Sequence, residues 1–209
     1  MKHSKTGARD LPPDLLSCVE FHGHLCPGLI YGYRVAKEAR KLLGAARSHD
    51  EEIVAEPENA SCAVDALQII LGTTPGKGNL IIKDHGKNAY TIFSRPAGKG
   101  FRFSRKTGYV YEGERPDEFR TLEKATREKT AGEKELRRQK ELKARDLALK
   151  PFDHIFSTRE VDFSPPPHAE LAPSKACARC GEMTMESRMT REEGRGMVCA
   201  PCAKTNRNG

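Results

Sequence analysis

The sequence predicts an α+β fold: helical and strand patterns alternate without regular order, and the first hundred residues close on two adjacent antiparallel strands. A charged segment follows. The chain then ends in two Cys-x-x-Cys pairs, Cys177/Cys180 and Cys199/Cys202, whose spacing predicts a small four-thiolate zinc ribbon. The expected organisation is a metal-binding core domain over 1–112, a charged helical segment and linker over 113–168, and a zinc-finger domain over 169–209.

Pro12-Pro13 opens the first helix, about Asp14 to Glu20, with Leu15, Leu16 and Val19 at helical spacing, because Pro suits a first helical turn. Cys18 reads as a small buried hydrophobe. The helix runs into Phe21-His22-Gly23-His24-Leu25-Cys26-Pro27-Gly28. Two imidazoles and a thiol within five residues are typical ligands for zinc and related metals. The competing structural reading is a hydrogen-bonded turn around a buried thiol. After Gly28, Leu29, Tyr33, Ala36 and Leu43 line one face of a second helix, which stops at Gly44. Cys26 precedes that helix, where the dipole favours thiolate.

Glu51 to Glu56 reads as a strand and Pro57-Glu58-Asn59 as a turn, with Asn59 or Ser61 as cap for a helix from Cys62 to Leu71. Cys62, in its first turn, is a partner for His22, His24 and Cys26 if the fold joins them; alone it reads as a packing thiol. Cys26 and Cys62 are the candidate catalytic residues. Gly72 to Asn79 is not a nucleotide-binding P-loop: its glycine spacing is one residue short, no Ser or Thr follows Lys77, and it leads from helix to strand. Lys77 and Asn79 are instead expected to contact an anionic substrate or cofactor.

Leu80 to Lys83 reads as a strand and Asp84 to Asn88 as a turn. Ala89 to Arg95 and Lys99 to Arg105 form a hairpin across Pro96-Ala97-Gly98. Glu114 to Lys150 is dense in Glu, Lys and Arg, and gives one or two exposed helices, expected to pack on a partner subunit. Phe152, Ile155, Phe156, Val161 and Phe163 supply apolar anchors before the stiff linker Pro165-Pro166-Pro167.

The 209 residues hold 37% hydrophobic and 31% charged residues, with a net charge of +7 and seven cysteines. No apolar run reaches the length of a membrane span, and Met1 to Pro13 lacks the apolar centre of a signal peptide. A reducing, cytoplasmic setting and no membrane association are expected. Arg179, Arg188, Arg191, Arg195 and Lys204 make the last module basic, so a zinc-ribbon regulator that binds nucleic acid is the competing function. The absence of stacking aromatics there argues against it.

Phe21-His-Gly-His-Leu-Cys-Pro-Gly-Leu, Cys62-Ala-Val-Asp-Ala-Leu-Gln, Thr74-Pro-Gly-Lys-Gly-Asn-Leu and the paired C-terminal cysteines together resemble the E-subunit family of formylmethanofuran dehydrogenase. The resemblance covers nearly the whole chain in order. It implies an α+β core with an appended zinc finger, a homodimer, and a core metal site of zinc or another transition metal built from the His/Cys segment and Cys62. It also implies a link to a redox enzyme of one-carbon metabolism that uses molybdenum or tungsten. Asp65, one turn from Cys62, is placed to orient a ligand imidazole. One departure stands out: where the family often has cysteine after the helix-ending glycine, this chain has Thr73, which would leave the site one thiolate poorer.

Overall fold

The computed structural model describes residues 11–204, which divide into two compact units, 11–168 and 169–204. In the first unit, α1 (Pro13–His22), α2 (Pro27–Leu43) and α3 (Ala63–Leu71) pack on one another beside a four-stranded sheet of order β1-β2-β3-β4. The strands are β1 (Ile53–Pro57), β2 (Ala89–Ser94), β3 (Lys99–Arg105) and β4 (Phe156–Val161), all antiparallel to their neighbours. Tyr90 pairs across with Pro57 on one side and Phe103 on the other. Tyr90, Phe103 and Phe156 are fully buried in the core with Leu15, Leu29, Ile30 and Leu67.

The predicted apolar face of α2 is the buried one, and both α1 and α2 end at glycines in the left-handed region, Gly23 and Gly44. Two further glycines set the closeness of α2 to α3. A Cβ on Gly32 would lie 2.0 Å from the Ala63 carbonyl oxygen, and one on Gly28 would lie 3.0 Å from Cys62 Cβ. Backbone therefore meets backbone at this crossing, as only glycine allows.

Several expectations change. The α3 N-cap is Cys62, with no side-chain cap bond; Ser61 Oγ donates to Asn59 Oδ1 instead. Leu80 to Lys83 is no full strand but an extended segment joined to β1 by a parallel bridge, Ala55 with Leu80. Amide donation from Ile81 to Ala55 O and from Lys83 to Pro57 O holds it there. β4 is a strand that the sequence pattern does not predict: only its first residue, Phe156, is buried, and Ser157 to Glu160 are exposed, so it lacks the alternation that marks a half-buried strand.

The charged segment folds back on its own chain. α4 (Pro116–Arg127) and α5 (Glu133–Leu149) form a helical pair around Phe119, Leu122 and Leu142, braced by Arg138 Nε 2.7 Å from Glu118 Oε1. Ala144 and Leu147 of α5 join the main core, and Arg34 donates to the carbonyls of Leu147 and Ala148. The sparse leucines hide this because small Ala144 and the aliphatic stems of charged residues complete the buried face. A short helix α6 (Phe152–Ile155) leads into β4. The proline segment is tied down as well: Arg95 donates to Pro166 O at 2.7 Å, and Phe163 packs edge-on against Phe93.

The second unit has two hairpins, β5 (Ser174–Ala176) with β6 (Met183–Met185) and β7 (Met189–Glu192) with β8 (Gly196–Cys199). A short helix α7 (Ala200–Lys204) follows, and Cys177, Val198 and Cys199 form the small core. Helices with antiparallel sheets and a terminal cluster of four cysteines are the α+β architecture and ribbon that the sequence predicts. No helix among the described residues is long and apolar enough to cross a membrane.

Candidate metal centres

The end of α1 and the four-residue corner 23–26 that leads into α2 bring His22, His24 and Cys26 to one point, with one ligand atom from each within 4.8 Å of the others. Gly23 makes the corner at φ +91°. The two imidazoles lie with ring centres 4.5 Å apart, tilted by 32°. Cys26 is the N-cap of α2: its Sγ accepts from the Leu29 amide at 3.4 Å.

His22 is oriented from α3. Its Nδ1 lies 2.7 Å from Asp65 Oδ2, and its Nε2 faces Cys26 Sγ at 3.6 Å. A neutral imidazole that donates from Nδ1 to a carboxylate keeps the Nε2 lone pair free for a metal. Zinc with nitrogen at about 2.0 Å and sulfur at about 2.3 Å in tetrahedral geometry separates the two ligand atoms by roughly 3.6 Å. The observed spacing fits.

Cys62 stands beside this group rather than within it. Its thiol neighbours that of Cys26, since a Cβ on Gly28 would lie 3.5 Å from Cys62 Sγ and 3.9 Å from Cys26 Sγ, while the convergent set comprises His22, His24 and Cys26. The contact depends on Gly28, since any side chain there would push into Cys62. Burial pushes the Cys26 thiol up, against the lowering effect of the Leu29 amide, and the Cys62 thiol adds to the rise. The helix terminus is where the sequence puts it, but desolvation outweighs its dipole. His24, at the exposed rim, is held below the ordinary imidazole value by burial, then by His22, Lys140 and Arg137.

Thr73 lies at the other end of α3, after Gly72, wholly buried and donating to the Leu67 carbonyl at 3.4 Å. A nine-residue helix spans roughly 14 Å at about 1.5 Å per residue. Position 73 is thus too far from Cys62 for a disulfide, which needs Cα atoms within about 7 Å. The absence of a cysteine there does not impoverish the cluster around His22.

The loop expected to bind an anion is a structural brace. Asn79 is fully buried; its amide donates to the carbonyls of Asp50 and Ile53, and its oxygen accepts from the Thr74 amide. Lys77 Nζ donates to His49 O at 3.2 Å and Ser48 O at 3.4 Å. Gly72-to-Asn79 reads as a ligand loop because glycines and a lysine look alike in both roles. The buried asparagine is the difference, and burial is not visible in sequence.

In the second unit, ligand atoms of Cys177, Cys180, Cys199 and Cys202 lie within 4.8 Å of one another, with Cys180 and Cys199 sulfurs 3.9 Å apart. Tetrahedral thiolates around zinc stand roughly 3.8 Å apart, given Zn–S near 2.3 Å. Cys177 Sγ accepts from the amides of Arg179 and Cys199, and backbone donors bring its thiol down to about 6. The crowded thiols of Cys199 and Cys180 push Cys202 up to about 12. Four sulfurs leave no open position, as in structural zinc sites.

Comparison with known proteins gives the family and the fold. Residues 21–157 match the family described as FmdE, molybdenum formylmethanofuran dehydrogenase operon. A protein of Archaeoglobus fulgidus described as a probable S-adenosyl-L-methionine-binding protein is 31% identical over 195 residues, covering 90% of this chain and 52% of its own length. The chain thus spans about half the length of that curated relative. The crystal structure of a tungsten formylmethanofuran dehydrogenase FmdE-like protein from Syntrophus aciditrophicus matches the fold with a TM-score of 0.58 at 22% identity. That match covers 91% of this chain and 90% of the other.

Proposed function

This chain belongs to the FmdE family, and on that premise we propose that it binds a transition metal, zinc or a neighbour, at His22, His24 and Cys26 with Cys62 alongside. A second, structural zinc sits in the four-cysteine ribbon, which is small enough to depend on it for folding. The observation that carries the reading is the Asp65–His22–Cys26 line, in which a carboxylate fixes the imidazole whose far nitrogen faces a thiol.

Three ligands at the core would leave one position for water or substrate, the pattern of catalytic rather than structural zinc. A metal there supplies Lewis acidity and an acidified water. His22 and Cys26 hold it, Asp65 fixes the tautomer of His22, and Cys62 stands ready as a further ligand or as a thiol beside the open position. His24, at the rim and favoured in its neutral form, can accept a proton from a group entering there. The family points to an enzyme, or to an accessory component of a molybdenum- or tungsten-dependent redox enzyme of one-carbon metabolism, acting as a homodimer in the cytoplasm. A small anionic substrate suits the cationic residues Lys140 and Arg137 near His24.

Metal analysis with anomalous scattering at the zinc edge tests this. Two metals per chain are expected, one at each group of ligands. A single zinc confined to the four cysteines would refute the core site. The Archaeoglobus relative's description adds S-adenosyl-L-methionine to the ligands to offer the metal-loaded protein. Nucleic-acid binding is the weaker alternative: residues 169–209 contain no Phe, Tyr or Trp, and base stacking needs them.

A further inference from the structure

Away from both cysteine clusters, a cavity of about 430 Å³ opens between the start of α1, the middle of α2 and the last turns of α5. Leu11, Pro12, Leu15, Ala148 and Leu149 give it apolar walls, with the buried Tyr33 beside them. Its size falls within the span of small-molecule sites, about 300–1,000 Å³.

Three cations also line it, Arg34, Lys37 and Arg145. Their partners decide what the cavity accepts. Lys37 Nζ lies 2.7 Å from Asp14 Oδ2, and Arg145 Nε lies 3.1 Å from Glu141 Oε1. The protein's own acids thus match both charges. Arg34 differs. Its Nη1 donates to the carbonyl oxygens of Leu147 at 3.0 Å and Ala148 at 2.7 Å, which fixes the guanidinium against the end of α5. Capping a helix end accounts for Nη1 and leaves the Nε–H and both Nη2–H groups, which donate to no described residue. No carboxylate among the described residues pairs with Arg34. Glu38, one turn along α2, pairs with Lys41 at 3.5 Å instead. Burial pushes the Arg34 guanidinium below its usual range, and the opposing pull of Glu38 is the smaller effect. A half-buried, immobilised cation therefore lines an apolar cavity with its charge unmatched.

We infer that this cavity binds a monocarboxylate with an aliphatic chain. The carboxylate takes the free Nε/Nη2 edge of Arg34, a planar fork that suits two oxygens. The chain lies over Leu15, Ala148 and Leu149. One unmatched cation sets the charge of the occupant at one, because a second negative charge would be left without a partner among apolar walls. Those walls call for an alkyl group rather than a sugar or a second polar head.

The test is calorimetric titration of the full chain, below micelle-forming concentrations, with octanoate, hexanoate and 1-octanol. Saturable binding of octanoate is expected. Hexanoate, with two fewer CH₂ groups to bury, should bind about fifteenfold more weakly. 1-Octanol keeps the chain and loses the charge, and should bind at least about tenfold more weakly. Arg34→Gln should bring octanoate down to the level of 1-octanol. That variant also loosens the hold on α5, so Leu149→Glu provides a second one, at a side chain 86% exposed. Its added negative charge should weaken octanoate a few-fold more than 1-octanol. No binding by the wild-type chain, equal affinity for octanoate and 1-octanol, or undiminished octanoate binding by Arg34→Gln would each overturn the assignment. A dimer that excludes octanoate and that Leu149→Glu dissociates would give this face to a second copy of the chain, and would overturn it as well.

Discussion

His22 and Asp65, 43 residues apart in sequence, meet at 2.7 Å between Nδ1 and Oδ2. This bond joins α1 to α3 and determines which imidazole nitrogen faces Cys26. Asp65→Asn keeps the shape and loses the charge. It should lower core-site metal affinity about 10- to 100-fold, the usual effect of losing an outer carboxylate, while the ribbon zinc stays bound. Competition with a chromophoric chelator measures this, and unchanged affinity would show that Asp65 does not govern the site.

Gly32→Ala should be among the most damaging single-carbon additions in the chain. Its Cβ would stand 2.0 Å from the Ala63 carbonyl oxygen, so α2 and α3 must separate. Overpacking of this kind costs about 1–3 kcal/mol, sometimes more. Urea unfolding should show the loss, together with weaker core metal binding as Cys62 withdraws from Cys26. Wild-type stability in this variant would contradict the close helix crossing.

Asn79→Ala separates a brace from a binding residue. It strands the Ile53 carbonyl and the Thr74 amide and takes one of two donors from the Asp50 carbonyl, which keeps the Ser48 hydroxyl, at a cost of about 2–3 kcal/mol. Stability should fall while the metal affinity of the folded protein remains as it was. A ligand-affinity loss without destabilisation would restore the ligand-loop reading.

Asp14 links pH to the α1–α2 contact. Burial alone would raise its carboxyl; hydrogen bonds from Lys37 at 2.7 Å and Tyr33 at 3.0 Å outweigh that and hold it below the ordinary value of 3.8. A lowered carboxyl contributes stability above its unfolded value, and that stability disappears as pH falls through the folded one. The group is partly exposed, so about 1 kcal/mol is expected. Asp14→Asn should unfold at lower urea than wild type near pH 7, and the difference should shrink as pH falls below 3.8 and through the lowered folded value. A constant gap across that range would exclude the carboxylate as its source.

Local features are legible in the sequence. His22, His24 and Cys26 are close because five residues cannot separate them far, and the Cys-x-x-Cys pairs announce themselves by spacing. Asp65 is legible through helical periodicity from Cys62. Long-range features are not. Gly28 reads as a corner before the second helix and Gly32 as an ordinary residue within it, yet both lie inside α2 and decide how near Cys62 comes to Cys26. β4 lacks alternation because its middle faces solvent. α5 hides its buried face among charges, since Ala144 and Leu147 carry the contact with little apolar bulk. Thr73 reads as a loss to the metal site only until α3 places it at the far end.

Cys26 serves as the first cap of α2 and as a candidate ligand through the same sulfur atom. Folding of one helix and chemistry of one site thus share a single atom, and exchanging that atom can separate them. Cys26→Ser puts an oxygen where the Leu29 amide still finds an acceptor, since serine is a strong helix cap, but it removes the soft donor a borderline metal prefers. Cys26→Ala removes both. The difference in stability between these two variants isolates the cap, and their shared loss of metal isolates the ligand.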